Sequence, residues 1–287
     1  MLFDKFTDIM ASLKKYIKRG LQYITTGVSI QNLTADITYL QPNQRLVGKN
    51  IVITGGGRGL GLAMAKKFIA EGAAVLIAGR NEETLKRSAD ELMCKYLRLD
   101  VQDVAYFESF LNQADDMLGG INCLVNNAGI SLHEPHFTDV TEETFDLQVN
   151  TNLKGSFFMA QKFIQLLQKE KREGTILFMS SETSHTADIR PYGLTKAAIN
   201  SLVKGLASMY ASQGIRVNAA APGITTSDMT GYKADGNLYL RGNATNRVYL
   251  PEEVAECACF LLSDASGCVS GEILTCNNGK TINARWK

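Results

Sequence analysis

The stretch "NIVITGGGRGLGLAMAKKF", residues 50–68, decides the fold class of this chain. It passes from a short run of β-branched residues, through a cluster of glycines, into a segment with apolar residues at helical spacing. Glycines allow a tight turn and the close approach of a phosphate, and a helix start offers unpaired N–H groups. The stretch therefore predicts a strand, a turn and a helix that together bind a nucleotide, although any tight strand-to-helix turn needs glycine.

The same alternation continues outward from this stretch. Strand-like runs such as "AAVLIAGR", "GTILFMSS" and "IRVNAAAPG" alternate with helical runs such as "NEETLKRSADELM" and "PEEVAECACFLLS". Buried strands that alternate with helices form a parallel, doubly wound sheet with helices on both faces, here of about seven strands. The segment 141–170 is expected to be one long helix. In such α/β sheets ligands bind beyond the carboxyl ends of the strands.

Residues 1–45 differ from the rest and are predicted to be an N-terminal extension, with the main domain spanning residues 46–287. Apolar residues at spacings of three and four predict an amphipathic helix there: Phe6, Ile9, Leu13, Tyr16 and Ile17. Two interpretations compete for residues 1–22. The helix packs on its own domain or on a partner subunit, or it lies on an anionic membrane surface. Acidic residues within the helix favour the first interpretation.

The bulk composition excludes several classes of function. The 287 residues carry a formal net charge of +1, which gives no field to recruit nucleic acid. Six cysteines at spacings that do not repeat predict reduced thiols in a cytoplasmic protein. No apolar run reaches membrane-spanning length, and the start of the chain is a poor secretory signal. Three histidines without metal-ligand spacing predict no metal site.

The end of the second predicted strand bears on the choice of nucleotide. A carboxylate at that point would accept hydrogen bonds from the ribose of NAD and repel a 2′-phosphate. This chain has Gly79 and Arg80 there, and Arg58 lies in the glycine turn. Arginine binds phosphate with two parallel hydrogen bonds. The pair predicts NADP(H) over NAD(H), whereas the alternative is that either arginine is a solvated surface charge.

Three motifs occur together and in order: T-G-x-x-x-G-x-G from Thr54, "NNAG" at 126–129 and "YGLTK" at 192–196. In this combination the chain resembles the short-chain dehydrogenase/reductase family, from about residue 46 to about residue 282. The resemblance implies a Rossmann-like fold and an oxidoreductase that interconverts a carbonyl and a secondary alcohol with a nicotinamide cofactor. It also implies a homodimer or homotetramer, assembled through the two long helices that carry Asn152 and Tyr192.

The spacing of Tyr192 and Lys196 has a physical reason. Residues four apart share one helical face, so the ammonium of Lys196 can lie below the Tyr192 ring. A neighbouring cation and the positive nicotinamide are expected to lower the tyrosine pKa from its usual ~10. Tyr192 would then exchange a proton with the substrate as a general acid or base. The alternative is an ordinary Tyr and Lys on an amphipathic helix.

The resemblance also assigns the other catalytic roles. A serine after the fifth strand would hydrogen-bond the substrate oxygen. Ser181 is favoured over Ser180, although it lies only 11 residues before Tyr192, a shorter spacing than the family's commonest. An asparagine would support a water chain to the lysine, and the family pattern N-x-x-G selects Asn152 over Asn150.

Further residues are assigned to the cofactor. Asp100 and Val101 would face the adenine, residues 127–129 the ribose and residues 222–225 the nicotinamide, with Ser227 near its amide or the pyrophosphate. Lys196 would also hydrogen-bond the nicotinamide ribose. The complete predicted set is Gly55, Gly57, Arg58, Gly59, Leu60, Gly61, Arg80, Asn81, Asp100, Val101, Asn127, Ala128, Gly129, Tyr192, Lys196, Pro222, Gly223, Ile224, Thr225 and Ser227.

The segment 229–250 matches the family's mobile lid over the substrate. It contains three tyrosines, several Asn and Gly and few aliphatic residues, which favours a small polar substrate such as a sugar or polyol. His133, His136, Glu182 and His185 are expected to border the same pocket. Two alternatives stay open: a 3-oxoacyl thioester substrate, or a low-turnover NADP(H)-binding regulatory or scaffold protein.

Overall fold

Seven parallel strands form a single sheet in the order β3-β2-β1-β4-β5-β6-β7. The structure is a computed structural model and describes Ile17, residues 43–233 and residues 235–282. The strands are β1 (Asn50–Thr54), β2 (Ala74–Gly79), β3 (Lys95–Arg98), β4 (Cys123–Asn126), β5 (Gly174–Met179), β6 (Ile215–Pro222) and β7 (Ile273–Cys276). The doubly wound Rossmann-like fold predicted from the alternating pattern is confirmed.

Seven α-helices connect the strands in the described part of the chain. They are α1 (Gly59–Ala70), α2 (Glu82–Leu92), α3 (Phe107–Leu118), α4 (Glu142–Val149), α5 (Gly155–Lys169), α6 (Pro191–Tyr210) and α7 (Pro251–Leu262). The predicted amphipathic helix within residues 1–22 lies outside the described residues, apart from Ile17. The boundary at residue 46 stays a prediction.

Helices cover both faces of the sheet, because successive side chains of a strand point to opposite sides. Val52 of β1 packs in a core with α3, α5 and α6. Its neighbours Ile51 and Ile53 pack in a second core with α1, α2 and α7. All three side chains are fully buried. A strand buried on both faces reads as a continuous apolar run, which explains "IVI".

The long helix predicted over residues 141–170 is not continuous. Between α4 and α5 the residues Asn150–Lys154 form a π-helical segment, in which one extra residue is accommodated in the turn. The helix then passes very close to the loop after β3: a Cβ on Gly155 would lie 2.3 Å from the carbonyl oxygen of Val101. Single π turns of this kind are frequent at functional sites.

Several global features can be stated for residues 43–233 and 235–282. No helix there is long and apolar enough to span a bilayer. All six cysteines lie in this part of the chain as free thiols. The same residues contain no group of three or more His, Cys, Asp or Glu side chains arranged to hold a metal ion.

Candidate active site

The turn after β1 brings two loops into close contact. Gly55 has φ +66°, and a Cβ there would lie 3.0 Å from the Cα of Ala128. A Cβ on Gly61 would lie only 2.2 Å from the carbonyl oxygen of Gly55. Side chains at these two positions would push the turn and the start of α1 apart. The glycines therefore keep the helix start and its N–H groups accessible to a phosphate.

Thr54 and Asn127 join this turn to the loop after β4. The Thr54 Oγ1 accepts hydrogen bonds from the backbone N–H groups of Asn127 and Ala128, both at 3.1 Å. The Asn127 Nδ2 donates to the carbonyl oxygens of Thr54 and Gly55, both at 3.0 Å. Asn127 was predicted as a cofactor contact, and in the structure its amide fixes the two loops that surround the cofactor cleft. A contact with the ribose stays a prediction.

A cleft with a volume of about 300 Å³ opens beside these loops. It brings together nine of the predicted cofactor residues: Gly55, Gly57, Arg58, Arg80, Asn81, Asp100, Val101, Ala128 and Gly129. It also includes Gly79, which the sequence marked only for its lack of a carboxylate, and five residues that the sequence did not single out: Thr84, Leu85, Leu99, Ile130 and Thr151. Thr84 and Leu85 follow Asn81 in the first turn of α2. Their position shortly after the second strand could have marked them as cofactor contacts. The Thr151 Oγ1 is buried with no hydrogen-bond partner among the described residues, which leaves a polar atom for a ligand.

The two arginines of the cleft are exposed. Arg58 donates from Nη1 to the Asp228 Oδ2 at 3.1 Å, and the two side chains are 74% and 80% exposed. Arg80 follows β2 and is also exposed. Asn81 caps α2 by accepting a hydrogen bond from the Thr84 backbone N–H at 2.8 Å. Both guanidinium groups are thus accessible to a ligand in the cleft.

Tyr192 and Lys196 lie in the first turns of α6. Pro191 begins the helix, a position that suits proline because the first N–H has no helical partner. The Lys196 Nζ lies 5.5 Å from the centroid of the Tyr192 ring. It donates a hydrogen bond of 2.7 Å to the carbonyl oxygen of Met179, the last residue of β5. The predicted juxtaposition of the two side chains is therefore present.

The predicted lowering of the tyrosine pKa is wrong for the protein residues alone. Burial raises the pKa of Tyr192, and the Ser181 hydroxyl and the charge of Arg190 only partly oppose this. Burial also lowers the pKa of Lys196 to about 8. Each group is removed from water, which disfavours its charged form.

The two serines after β5 face different partners. The Ser181 hydroxyl acts to lower the pKa of the Tyr192 phenol, and it accepts a hydrogen bond from the Thr183 Oγ1 at 3.1 Å. Ser180 instead donates to the Asn200 Oδ1 at 2.6 Å. Ser180 is therefore engaged in the packing of α6, whereas the Ser181 hydroxyl lies beside the tyrosine. This arrangement favours Ser181 as the residue that contacts a substrate.

Asn152 lies within the π-helical segment and is fully buried. Its Oδ1 accepts from the Ile130 N–H and its Nδ2 donates to the Ile130 carbonyl, both at 2.8 Å. A Cβ on Gly129 would lie 3.3 Å from the Asn152 Oδ1 and 3.6 Å from the Lys196 Nζ. The absence of a side chain at Gly129 thus lets the asparagine and the lysine meet at one point.

A second cavity, with a volume of about 570 Å³, lies beside Tyr192. Its wall includes Ser180, Ser181 and Tyr192 together with the predicted nicotinamide segment, and polar side chains make up much of the remainder. The other lining residues are Leu60, Ser131, His133, Glu182, Thr183, Thr186, Arg190, Pro222, Gly223, Ile224, Thr225, Ser227, Met229, Thr230, Tyr232, Lys280 and Thr281. Arg190, Lys280 and Thr281 were not anticipated as site residues.

The other predicted residues divide between these cavities and the surrounding packing. His133 and Glu182 line the second cavity, as expected, and the His133 Nε2 lies 2.8 Å from the Met229 carbonyl oxygen. His136 and His185 were expected at the same border and are not among its lining residues. The His185 Nε2 lies 3.1 Å from the Thr275 Oγ1. Leu60 lines the second cavity, whereas Gly59 and Gly61 shape the start of α1.

Comparisons with known proteins identify the family. A family model described as "Enoyl-(Acyl carrier protein) reductase" matches residues 55–281. The 3alpha-hydroxysteroid dehydrogenase of Mediterraneibacter gnavus is 35% identical over 241 residues, which cover 80% of this chain and 96% of that protein. The chain belongs to the short-chain dehydrogenase/reductase family. It is accordingly an oxidoreductase of the type that acts on CH–OH and C=O groups.

Solved structures of the short-chain dehydrogenase/reductase family share the fold. A gluconate 5-dehydrogenase from Burkholderia cenocepacia, in complex with NADP and tartrate, has a TM-score of 0.78 at 29% identity and covers 85% of this chain and 99% of its own. A 3-ketoacyl-(acyl-carrier-protein) reductase from Brucella melitensis, complexed with NADH, has a TM-score of 0.76 at 29% identity and covers 83% and 100%. Both nicotinamide cofactors thus occur among the structural neighbours.

Proposed function

We propose that this chain is an NADP(H)-dependent oxidoreductase that interconverts a carbonyl and a secondary alcohol on a small polar substrate. The observation that carries the proposal is the convergence of the Tyr192 phenol, the Ser181 hydroxyl and the Lys196 ammonium beside a cavity with many serine and threonine side chains in its wall. The cleft beside the glycine turn would hold the adenosine half of a dinucleotide, and the cavity beside Tyr192 would hold the nicotinamide half.

The catalytic side chains would act on the substrate oxygen. Ser181 would donate a hydrogen bond to the carbonyl oxygen, and Tyr192 would transfer its phenolic proton to that oxygen during reduction. Lys196 would keep a cation close to the phenolate that results, and Asn152 would hold the loop that carries Gly129. A bound nicotinamide supplies the hydride. In alcohol oxidation Tyr192 would accept the proton instead.

The preference for NADP(H) rests on charge. Arg58 and Arg80 both line the cleft where the ribose of the adenosine half would lie, and the strand β2 ends without a carboxylate. A 2′-phosphate would therefore meet two guanidinium groups and no acid at this strand end. The alternative cofactor, NAD(H), lacks the group that these arginines would bind.

The cavity composition supports the polar substrate class. Nine serine and threonine residues and several charged side chains line it, so a long hydrocarbon chain would leave many polar groups without partners. We propose a sugar-, polyol- or similarly oxygenated substrate. A 3-oxoacyl thioester is the alternative substrate class, and an NADP(H)-binding scaffold with low turnover is the alternative function.

The test is a turnover panel with NADPH and NADH. It includes keto-sugars, diketones, keto acids, a 3-oxoacyl thioester, an enoyl thioester and a steroid ketone. Tyr192→Phe is expected to abolish turnover, whereas Tyr210→Phe at the other end of α6 is the matched control and should retain it. Binding of NADPH without turnover of any compound would support the scaffold instead. Faster reduction of the enoyl thioester or the steroid would contradict the polar carbonyl substrate.

We also propose a homodimer or homotetramer assembled through α4, α5 and α6. Five large apolar side chains of these helices are exposed: Phe145, Leu147, Phe157, Leu194 and Met209. Burial of such side chains is the usual driving force for subunit association. Sedimentation equilibrium of the full chain tests this assembly. A monomer at micromolar concentration would contradict it.

A further inference from the structure

Arg190 stands two residues before Tyr192 and lines the same cavity. It is the residue directly before α6, and Pro191 fixes the backbone between it and the helix. The charge of Arg190 also acts on the Tyr192 phenol. The mechanism described above assigns no task to this guanidinium, although it lies close to the reacting centre.

Asp188 holds the Arg190 side chain in one orientation. The Asp188 Oδ1 accepts from the Arg190 backbone N–H at 3.0 Å and from its Nε at 2.9 Å, and the Oδ2 accepts from Nη2 at 2.8 Å. The Asp188 side chain is 8% exposed, whereas that of Arg190 is 43% exposed. The buried acid thus anchors one edge of a guanidinium whose other edge is accessible.

Gly193 makes room for this arrangement. A Cβ at that position would lie 2.3 Å from the Asp188 Oδ2. The segment "DIRPYG" therefore supplies, within six residues, an orienting acid, an oriented guanidinium, the tyrosine and the space that the acid requires. Such a supported side chain keeps a precise geometry toward a ligand.

The remaining edge of the guanidinium is available to a ligand. Arginine has five N–H donors in a fixed fork. Asp188 takes one donor from Nε and one from Nη2, and among the described residues Nη1 makes no hydrogen bond. Nη1 and the second proton of Nη2 form a fork that can donate to an oxygen acceptor in the cavity.

The surrounding charges indicate which acceptor fits. Three acids lie beside the two cations of the cavity. Asp188 pairs with Arg190, the charge of Glu134 also acts on Arg190, and Glu182 lies 2.7 Å from the Lys280 Nζ. Each of these two cations is therefore already paired with an acid, and the Lys196 ammonium beside Tyr192 balances the third acid. A neutral oxygen would keep this balance, whereas an anionic group would add an unpaired negative charge.

We propose that Arg190 is a specificity-determining residue that donates hydrogen bonds to a second, uncharged oxygen adjacent to the reacting carbonyl. The preferred substrates are then α-hydroxy ketones or α-diketones. This inference rests on the proposed function and narrows its substrate class. Simple ketones would leave the guanidinium fork without a partner, and keto acids would add a carboxylate.

The experiment measures kcat/KM for the reduction of three four-carbon ketones by the full chain with its preferred nicotinamide cofactor. They are 3-hydroxybutan-2-one, butan-2-one and 2-oxobutanoate. We expect kcat/KM for the hydroxy ketone to exceed that for butan-2-one roughly ten- to hundredfold. Arg190→Met should remove this preference, mainly through KM for the hydroxy ketone. Arg190→Lys should restore part of the preference, since it keeps one cationic donor.

A matched control and the contrary outcomes complete the design. Arg87→Met removes an exposed guanidinium on α2 outside both cavities and should leave the preference unchanged. An equal loss for all three ketones in Arg190→Met would show a structural role and overturn the proposal. A preference for 2-oxobutanoate that depends on Arg190 would show an anion site and overturn it as well. If the unaltered protein reduces no carbonyl at all, the proposed function fails and this inference with it.

Discussion

The Lys196 Nζ lies 5.5 Å from the centroid of the Tyr192 ring, and burial opposes the charged form of both side chains. The protein therefore maintains a lysine cation in a place where water solvates it poorly. Among the residues that the structure describes, one hydrogen bond, to the Met179 carbonyl, supports that cation. Residues that serve chemistry in this way often reduce the stability of the fold.

The first prediction concerns the loss of stability that results from burial of the Lys196 ammonium. The folded-state pKa of Lys196 is about 8, below its usual 10.5. The unfolded chain therefore binds more protons between these pH values, so the contribution of Lys196 to stability rises with pH over that window. Below pH 8 the charged lysine destabilises the fold by up to about 3 kcal/mol. Lys196→Met removes the buried charge and should raise the free energy of unfolding at pH 7 by about 1–3 kcal/mol. The gain is smaller than the full cost of burial because the hydrogen bond to Met179 is lost.

Urea unfolding of the cofactor-free protein at pH 7 and pH 10 provides the measurement. The advantage of Lys196→Met should shrink at the higher pH. Lys204→Met, on the exposed side of the same helix, serves as the control and should change stability by less than about 0.5 kcal/mol. If Lys196→Met were less stable than the unaltered protein at pH 7, the prediction that the buried lysine cation destabilises the fold would be wrong.

The second prediction concerns the pH dependence of activity. Carbonyl reduction needs the protonated phenol and the lysine cation, and the lysine loses its proton as pH rises through about 8. We expect kcat/KM for reduction to fall above that pH. Arg190 and the buried tyrosine keep their protons in this range. In Lys196→Arg the decline near pH 8 should disappear, because arginine remains charged, even though the rate is lower. An unchanged decline in this variant would assign it to another group.

The third prediction separates the two serines after β5. Ser181→Ala should lower kcat/KM by roughly 10²- to 10³-fold, because it removes a hydrogen bond to the reacting oxygen. Its effect on stability should be small. Ser180→Ala leaves the Oδ1 of the half-buried Asn200 without its 2.6 Å donor and should cost about 1–2 kcal/mol in stability. Steady-state kinetics and urea unfolding of both variants decide between them, and the reverse pattern would make Ser180 the substrate-binding residue.

The fourth prediction compares two helical glycines. Gly155→Ala would bring a Cβ to 2.3 Å from the Val101 carbonyl oxygen, so α5 would have to move away from the loop that carries the predicted adenine contacts. We expect a loss of about 1–3 kcal/mol in stability and weaker NADPH binding. Gly205→Ala, in the interior of α6, meets open space and should stabilise by about 0.5–1 kcal/mol. Thermal unfolding and cofactor titration test both, and equal effects would contradict the close packing at Gly155.

The fifth prediction concerns the ion pair between Arg58 and Asp228. Both side chains are exposed, so the pair contributes at most about 1 kcal/mol. Asp228→Asn should release Arg58 for a 2′-phosphate and tighten NADPH binding about two- to fivefold, without a change for NADH. Arg58→Gln should weaken NADPH binding selectively. Fluorescence titrations at low and high salt give the measurement, and equal changes for both cofactors would remove Arg58 from phosphate recognition.

The sequence predicted those parts of the site that depend on local geometry. Tyr192 and Lys196 meet because four residues span about one helical turn, and Gly55 and Gly61 follow from the needs of a tight turn. Roles that depend on partners far away in the sequence were harder to predict. Asn127 fixes Thr54, which lies 73 positions earlier in the chain.

Two local features were also missed, for a different reason. The π-helical segment at Asn150–Lys154 has no distinct apolar period, so residues 141–170 gave the pattern of a continuous helix. The orienting role of Asp188 depends on space left by Gly193, which no residue pattern marks. Packing against neighbours determines both features.

The division of the chain between the two cavities has a consequence for synthesis on the ribosome. The cofactor cleft is lined by residues from Gly55 to Thr151, whereas the substrate cavity is completed only by Thr281. The 130 positions between Thr151 and Thr281 take roughly 6 to 26 s to translate at 5–20 residues per second. The nascent chain therefore carries every lining residue of the nucleotide cleft well before its substrate cavity exists.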